Sequence, residues 1–277
     1  MGTGPDVPVE SFLTVAPAGS GEWTAELADL GWGTAFGGDL LARASLAAAA
    51  SCDGVKRLHA LHGHFLRPVP AGAKVSLRVA TLGDGERFSR RRVELRHEGT
   101  LVCDVVASLT AQTDGIAFQP VRLDPSLPRP ESLPSDVELA RAEGWPESNL
   151  SGIEWRRVRP SFPFPKPAPD EPVSWIGWFR PRTPLPDDAA LHEAAFVFTS
   201  DLMSHAGVET RLVDFHPGRL TSLDHALWIH CPPRWNDFWL IETTSDVAHS
   251  GRALTRREVY ARDGARIATV VQEALLG

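Results

Sequence analysis

No stretch of the 277-residue sequence comes near the roughly 18 consecutive apolar residues that a membrane-spanning helix needs. The opening segment MGTGPDVPVESF has neither a charged leader nor an apolar core, so the chain is expected to be cytoplasmic and without a membrane partner. Basic charge is in short supply, with 28 Lys and Arg against 35 Asp and Glu and a net charge of −7, which argues against nucleic acid as a partner. The one basic cluster, Arg90-Arg91-Arg92, falls inside a strand pattern. Cysteine is scarce too: Cys52, Cys103 and Cys231 are odd in number and far apart, which fits neither a disulfide framework nor zinc spacing, so they read as small core residues. A GxSxG nucleophile elbow is also missing. No cofactor is expected.

What is present begins with Gly31 to Ser51, GWGTAFGGDLLARASLAAAAS. From Asp39 to Ala50 nearly every residue is a good helix former, and after Asp39 the only charge is Arg43, a pattern that predicts a helix buried nearly all round. Gly37 and Gly38 would let the backbone approach another group at the helix start, where free N–H groups can receive developing negative charge. A close-packed turn explains the same glycines.

Alternating segments follow at His59 to Pro68, Ala73 to Leu82, Phe88 to Arg96 and Leu101 to Ala111, the last two flanking the turn His97-Glu98-Gly99-Thr100. Lead-in strands are expected at Ser11 to Val15 and between Gly21 and Leu30. One helix followed by an antiparallel meander is an α+β plan. Of the 23 prolines, 15 lie between Pro120 and Pro186, around a short helix candidate (Asp136 to Glu143) and two strand candidates (Ile153 to Arg159 and Val173 to Arg180). The expected organisation is a first domain over 1–115, a proline-rich linker over 116–150 and a second domain over 151–277.

The sequence repeats itself. Arg91 to Val102 aligns with Arg256 to Ile267 without a gap, so that Gly99 falls on Gly264, 165 residues on; the same offset puts Pro68 on Pro233 and Leu58 on Leu223. A small shift brings Gly38-Asp39-Leu40 onto Ser200-Asp201-Leu202. Each half should therefore be a helix near its start followed by antiparallel strands, and the two sheets can join edge to edge, hiding two edge strands. Remaining edges make further pairing of whole chains, a homo-oligomer, an expectation.

Several polar residues in the second half occupy core-like positions. Period two puts Ala268, Val270, Gln272 and Ala274 on one face of their strand, so Gln272 should be buried, whereas its repeat partner is Ala107. Asp201 reads either as the N-cap of a helix or as a base. His62 and His64 share a strand face opposite to His59, but with no carboxylate or thiolate in sequence reach a metal is not expected. His225 and His230 beside Asp224 could be a base and its orienter, or strand residues with satisfied rings.

Three groups of residues together resemble a known family. FGGDLLARASLAAAA, LHGHFLRPV and DGERFSRRRVELRHEGTLV resemble the first half of the acyl-CoA thioesterase II family, and TSDL, LTSLDHALWIH and VVQEALL its second half. The resemblance fails only in the proline-rich middle. It implies a double hotdog, two repeats each wrapping an antiparallel sheet round a central helix, and hydrolysis of acyl-CoA or acyl-carrier-protein thioesters in lipid metabolism. It also implies a catalytic set of Asp201, Ser222 and Gln272 acting on water, with Thr221 as the alternative hydroxyl. Asp39 stands where the family often has Gln and raises the possibility of a second acidic group; together with Gly37 and Gly38 it is assigned to substrate or oxyanion binding.

Two other functions stay open at this level. Asp201 and His205, four apart, could add water across an enoyl thioester as in a hotdog hydratase, although the Asn-Pro of that family is missing. A binding module for acyl thioesters is the third. Trp175, Trp178, Phe179, Trp228, Trp235, Phe238 and Trp239 are read as a broad apolar lining for a medium or long acyl chain. Replacing Gln272 or Ser222 by Ala is expected to cost little stability.

Overall fold

Alternation with period two carries most of the fold. The computed structural model describes residues 9–112, 114–143, 152–159, 174–202, 208 and 220–276. In the first half the strands are β1 (Ala16–Gly19), β2 (Glu22–Glu26), β3 (Arg57–Phe65), β4 (Lys74–Asp84), β5 (Phe88–His97) and β6 (Thr100–Thr110). In the second they are β7 (Ile153–Arg159), β8 (Ser174–Pro181), β9 (Leu220–Ser222), β10 (Asp224–Ile229), β11 (Trp239–His249), β12 (Arg252–Ala261) and β13 (Arg266–Leu276). All pairings are antiparallel, in the order β1-β2-β4-β5-β6-β3-β10-β13-β12-β11-β8-β7 with β9 added on β13. The β5–β6 hairpin turns through Glu98 and Gly99, both at positive φ, as a two-residue loop that continues the strand twist requires. The two halves meet where β3 pairs with β10, so their sheets do join edge to edge.

Each half contributes one long helix, and the two pack on each other and on the joined sheet. Helix α2 (Gly37–Ala50) buries Leu40, Leu41, Ala42, Ala44, Ala47 and Ala48; helix α4 (Ala189–Ser200) buries every residue from His192 to Ser200. Ala and small residues let the two helices lie against each other, and they run antiparallel: the start of α2 meets the end of α4, where a Cβ on Gly38 would run into Phe198 O. At the opposite end Leu58, just beyond α2, donates its backbone N–H to Glu193 near the start of α4. Two buried arginines cap the helix ends in parallel fashion. Arg91 on β5 donates to Ser51 Oγ at 2.9 Å, at the C-terminus of α2, and Arg257 on β12 donates to the carbonyl of Ser200, at the C-terminus of α4.

Two sequence expectations are corrected here. Helix α1 (Val9–Phe12) replaces the lead-in strand at Ser11 to Val15, because Val9 and Leu13, four apart, turn to the same buried side. The aromatic lining divides: Trp175, Phe179, Trp235 and Trp239 pack in the core with Phe196 of α4, Trp178 and Phe238 sit in a separate cluster, and Trp228 is 46% exposed. The stretch after residue 116 packs on the second half. Leu123, Leu127 and Leu133 pack on the Trp178 cluster, Trp178 Nε1 donates to Pro128 O, and Gln119 bonds both Gly264 O and Arg266 N. Proline removes backbone donors, so the segment seals this outer face with side chains and carbonyls. Helix α3 (Asp136–Glu143) and strand β7 fall where the sequence puts them, and β8 starts one residue later.

Candidate functional site

Asp201 ends helix α4, where the repeat had it opening a helix. It is the C-cap, with φ −89° and ψ −14°, while the N-cap duty belongs to Asp188, whose carboxylate accepts from the N–H groups of Ala190 and Leu191. The counterpart of Asp201 in the first half is thus Ser51, the C-cap of α2, and not Asp39. Position explains the error: both segments are small-residue stretches preceded by apolar residues, and the alignment slid by one helix length. His205, the partner in the hydratase reading, lies outside the described residues.

Gln272 is buried, 1% exposed, on the face that alternation assigns to it. Its carbonyl oxygen accepts from Arg257 Nη2 at 2.7 Å and meets His225 Nδ1 at 2.7 Å. A guanidinium can only donate, so this oxygen is an acceptor and His225 Nδ1 carries a proton. The amide nitrogen donates to Ser222 Oγ at 2.6 Å. That contact distinguishes the two hydroxyls, since Thr221 is exposed beside Ser222. The other ring nitrogen of His225 lies 2.9 Å from Ser200 Oγ, and Nδ1 lies 3.6 Å from Asp201 Oδ1. Asp201, Ser222, Gln272, His225, Ser200 and Arg257 therefore form one connected group, contributed by α4, β9, β10, β12 and β13.

The charge arrangement is unusual for a protein core. Arg257 is fully buried, and desolvation pulls its pKa down to about 10 while the Asp201 carboxylate acts the other way. It stays charged at neutral pH. Its cost underground is offset by the carboxylate, the Gln272 oxygen and the Ser200 carbonyl. Nearby on β6, burial first and then Asp104 and Asp201 push the Cys103 thiol up, which excludes a thiolate nucleophile there.

Of the residues assigned to substrate or oxyanion binding, Gly37 comes to this group and Asp39 does not. A Cβ on Gly37 would lie 2.8 Å from Asp201 Oδ2 and 2.8 Å from Phe65 Cζ. Helix α2 starts there behind Phe36 with no side-chain cap, and the first N–H groups of a helix have no intrahelical partners. Asp39 turns away. Its carboxylate accepts from Arg43 Nε at 2.9 Å and from Ala28 N at 2.7 Å, and Arg43 continues to Thr14 O and Glu26 O. This is a buried tie between α2 and the N-terminal strands. Trp32, Phe36 and Phe198 stack edge to face at 5.5 and 5.0 Å beside Gly38.

Arg257, Ser200 and the central role of His225 escape the sequence reading. Arg257 had a signal, because a strand position between Thr255 and Val259, both inward, should not be charged without a partner. For His225 the signal was the same, a ring on the inward face of a strand beside a buried Leu227.

Comparison with known proteins places the chain in a family. Residues 28–112 match the family described as the acyl-CoA thioesterase N-terminal domain, and residues 125–276 match the acyl-CoA thioesterase C-terminal domain. The chain is similar to acyl-CoA thioesterase 2 of Haemophilus influenzae, 28% identical over 266 residues, covering 91% of this chain and 90% of that protein. It is also similar to human acyl-coenzyme A thioesterase 8, 27% identical over 261 residues, covering 87% and 80%. Among solved structures it resembles an acyl-CoA thioesterase II from Mycobacterium marinum, with a TM-score of 0.79, 27% identity and coverage of 97% and 98%. A hot dog fold protein of unknown function from Alicyclobacillus acidocaldarius has a TM-score of 0.81 at 17% identity, a likeness of fold alone. With the C-terminal family match spanning more than half of the sequence, and the double hotdog sheet as its frame, the chain belongs to the acyl-CoA thioesterase II family.

Proposed function

We propose that this chain hydrolyses medium- to long-chain acyl thioesters of CoA or of a carrier protein, with Asp201 as the base. The observation that carries the reading is the meeting of the Asp201 carboxylate with Gly37, at the uncapped start of α2. A base and a pair of backbone donors then flank one spot, which is what water attack on a thioester carbonyl needs.

In this mechanism Asp201 takes a proton from water as the water oxygen bonds to the carbonyl carbon. The carbonyl oxygen becomes an oxyanion facing the Gly37 and Gly38 N–H groups. Collapse breaks the carbon–sulfur bond, and the thiolate leaves with the proton held by Asp201. No covalent intermediate forms. Ser222, held by Gln272 Nε2, is assigned to orient the water. The Gln272 carbonyl is already engaged by Arg257 and His225, so the amide acts on water only through Ser222 or its second N–H. His225 and Arg257 are positioning residues. The aromatic group at Trp32, Phe36, Phe65 and Phe198 supports an apolar acyl chain of some length beside the carbonyl site.

The same proposal divides the chain into hotdog units over 1–115 and 151–277, with 116–150 between them. It takes the protein to be cytoplasmic and homo-oligomeric, a state that light scattering after size exclusion would test. Among the described residues no helix is long and apolar enough to cross a membrane. For activity, release of free thiol across a panel of acyl-CoA substrates is the test. We expect kcat/KM to rise from acetyl to medium or long chains and to collapse in Asp201→Asn. Loss of enoyl absorbance without thiol release would replace hydrolysis by hydration, and binding without either would leave a binding module.

A further inference from the structure

On the outer face of the sheet, across the β3–β10 seam, two histidines and a carboxylate come together from the two halves. His62 and His64 stand on β3, both exposed, with ring centroids 4.5 Å apart. Asp224 begins β10 directly opposite His64 in the pairing register. The sequence offers no carboxylate near these histidines, because the one that joins them is 160 residues away along the chain and arrives only when the half-sheets pair. One ligand atom from each residue lies within 4.8 Å of the other two.

We propose that His62, His64 and Asp224 form a binding site for one divalent transition-metal ion of the Zn²⁺ class. Bonds of about 2.0–2.2 Å from Zn²⁺ to imidazole nitrogen and carboxylate oxygen put neighbouring donors roughly 3 to 4 Å apart, so small side-chain rotations close the triad on an ion. Asp224 is already oriented for this. Its Oδ1 accepts from the backbone N–H of Glu273 at 2.9 Å, which leaves Oδ2 facing His62 Nε2 at 2.9 Å. Outer hydrogen bonds of this kind fix a ligating carboxylate and strengthen metal sites. Two nitrogens and one oxygen suit Zn²⁺, Cu²⁺ or Ni²⁺ better than Mg²⁺ or Ca²⁺, which prefer oxygen throughout. With His62 47% and Asp224 28% exposed, solvent water completes the coordination.

The ion would tie β3 of one half to β10 of the other, so binding should strengthen the seam. This inference does not rest on the hydrolase reading, because all three side chains are on the face of the sheet away from Asp201.

The test uses the full chain stripped of metal with a chelator and titrated calorimetrically with Zn²⁺ at pH 7.5. We expect one saturable site per chain. His64→Ala and Asp224→Asn should each weaken it at least about tenfold, the scale on which loss of a ligand or its support acts, while His249→Ala leaves it unchanged. At about a hundredfold excess over Kd, Zn²⁺ should raise Tm by roughly 5 °C in the parent protein and much less in His64→Ala. Absence of saturable binding, or equal affinity in the parent, His64→Ala and Asp224→Asn, would overturn the proposal. His64 is exposed, so its removal does not threaten the fold.

Discussion

The Asp201 carboxylate stands in the space that a Gly37 side chain would fill, 2.8 Å from where its Cβ would be. The contact joins the end of one central helix to the start of the other, which is the arrangement the proposed base and oxyanion site require. We predict that Gly37→Ala forces either Asp201 or Phe65 aside. A displacement of about 1 Å at a reacting group costs on the order of 10²-fold in rate, so kcat for thiol release should fall by about that factor. Parental kcat in Gly37→Ala would contradict the geometry.

Gln272 joins the site to its buried charge. Sequence comparison with Ala107 suggests that Gln272→Ala is harmless to stability, but the carbonyl oxygen serves both Arg257 and His225, which are fully buried. Removing it leaves two buried donors short of an acceptor, one of them charged, at about 1–3 kcal/mol or more. Denaturant unfolding should therefore show Gln272→Ala less stable than Ser222→Ala, while both lose activity to a smaller extent than Asp201→Asn. Equal unfolding midpoints for Gln272→Ala and the parent would remove Arg257 from the network.

Strands with strict alternation were legible residue by residue, and Asp136–Glu143 was readable as a helix because acidic residues gather in its first turn. The turn at His97-Glu98-Gly99-Thr100 gave the pairing of β5 with β6, and the 165-residue repeat carried that plan to β12 and β13. What the repeat could not give is helix phase. An Ala-rich helix buried all round has no polar face to fix its start, and the true cap, Asp188, is preceded by another Asp that offers the same signal. Long-range ties were equally hidden. Arg43 lies four residues after Asp39, so their ion pair was visible in spacing alone, but its continuation to Thr14 and Glu26 depends on strands that pack there only in the folded chain.

Glu193 should make stability depend on pH. It is 3% exposed, and burial, partly countered by the Leu58 N–H and Arg57, pushes its carboxyl pKa up to about 7. Unfolded, the group ionises near 4.5. Between these values the unfolded chain binds fewer protons than the folded one, so stability falls as pH rises through the interval and levels off above it. At 1.36 kcal/mol per pH unit the loss is about 3 kcal/mol. Glu193→Gln keeps an acceptor for Leu58 N–H and loses the titration; its Tm should exceed that of the parent at pH 8, with the gap closing toward pH 5. A constant Tm difference across that range would refute the assignment.

Asp39 and Asp201 are both buried aspartates at the ends of central helices, and their variants should behave in opposite ways. Asp39→Asn leaves Arg43, 1% exposed, without its counter-charge, and breaking a buried pair from one side costs about 3–5 kcal/mol. The part of Asp39→Asn that stays folded keeps its base at Asp201, so kcat per folded molecule should stay close to that of the parent. Asp201→Asn keeps the shape of the side chain but loses the basicity, and general-base contributions of about 10² to 10⁴ set the expected fall in turnover. Its stability should change less, because Arg257 retains the Gln272 oxygen and the Ser200 carbonyl. Thermal unfolding and thiol release measured on both variants decide between the two roles. A dead but stable Asp39→Asn beside an active Asp201→Asn would move the chemistry to the start of α2.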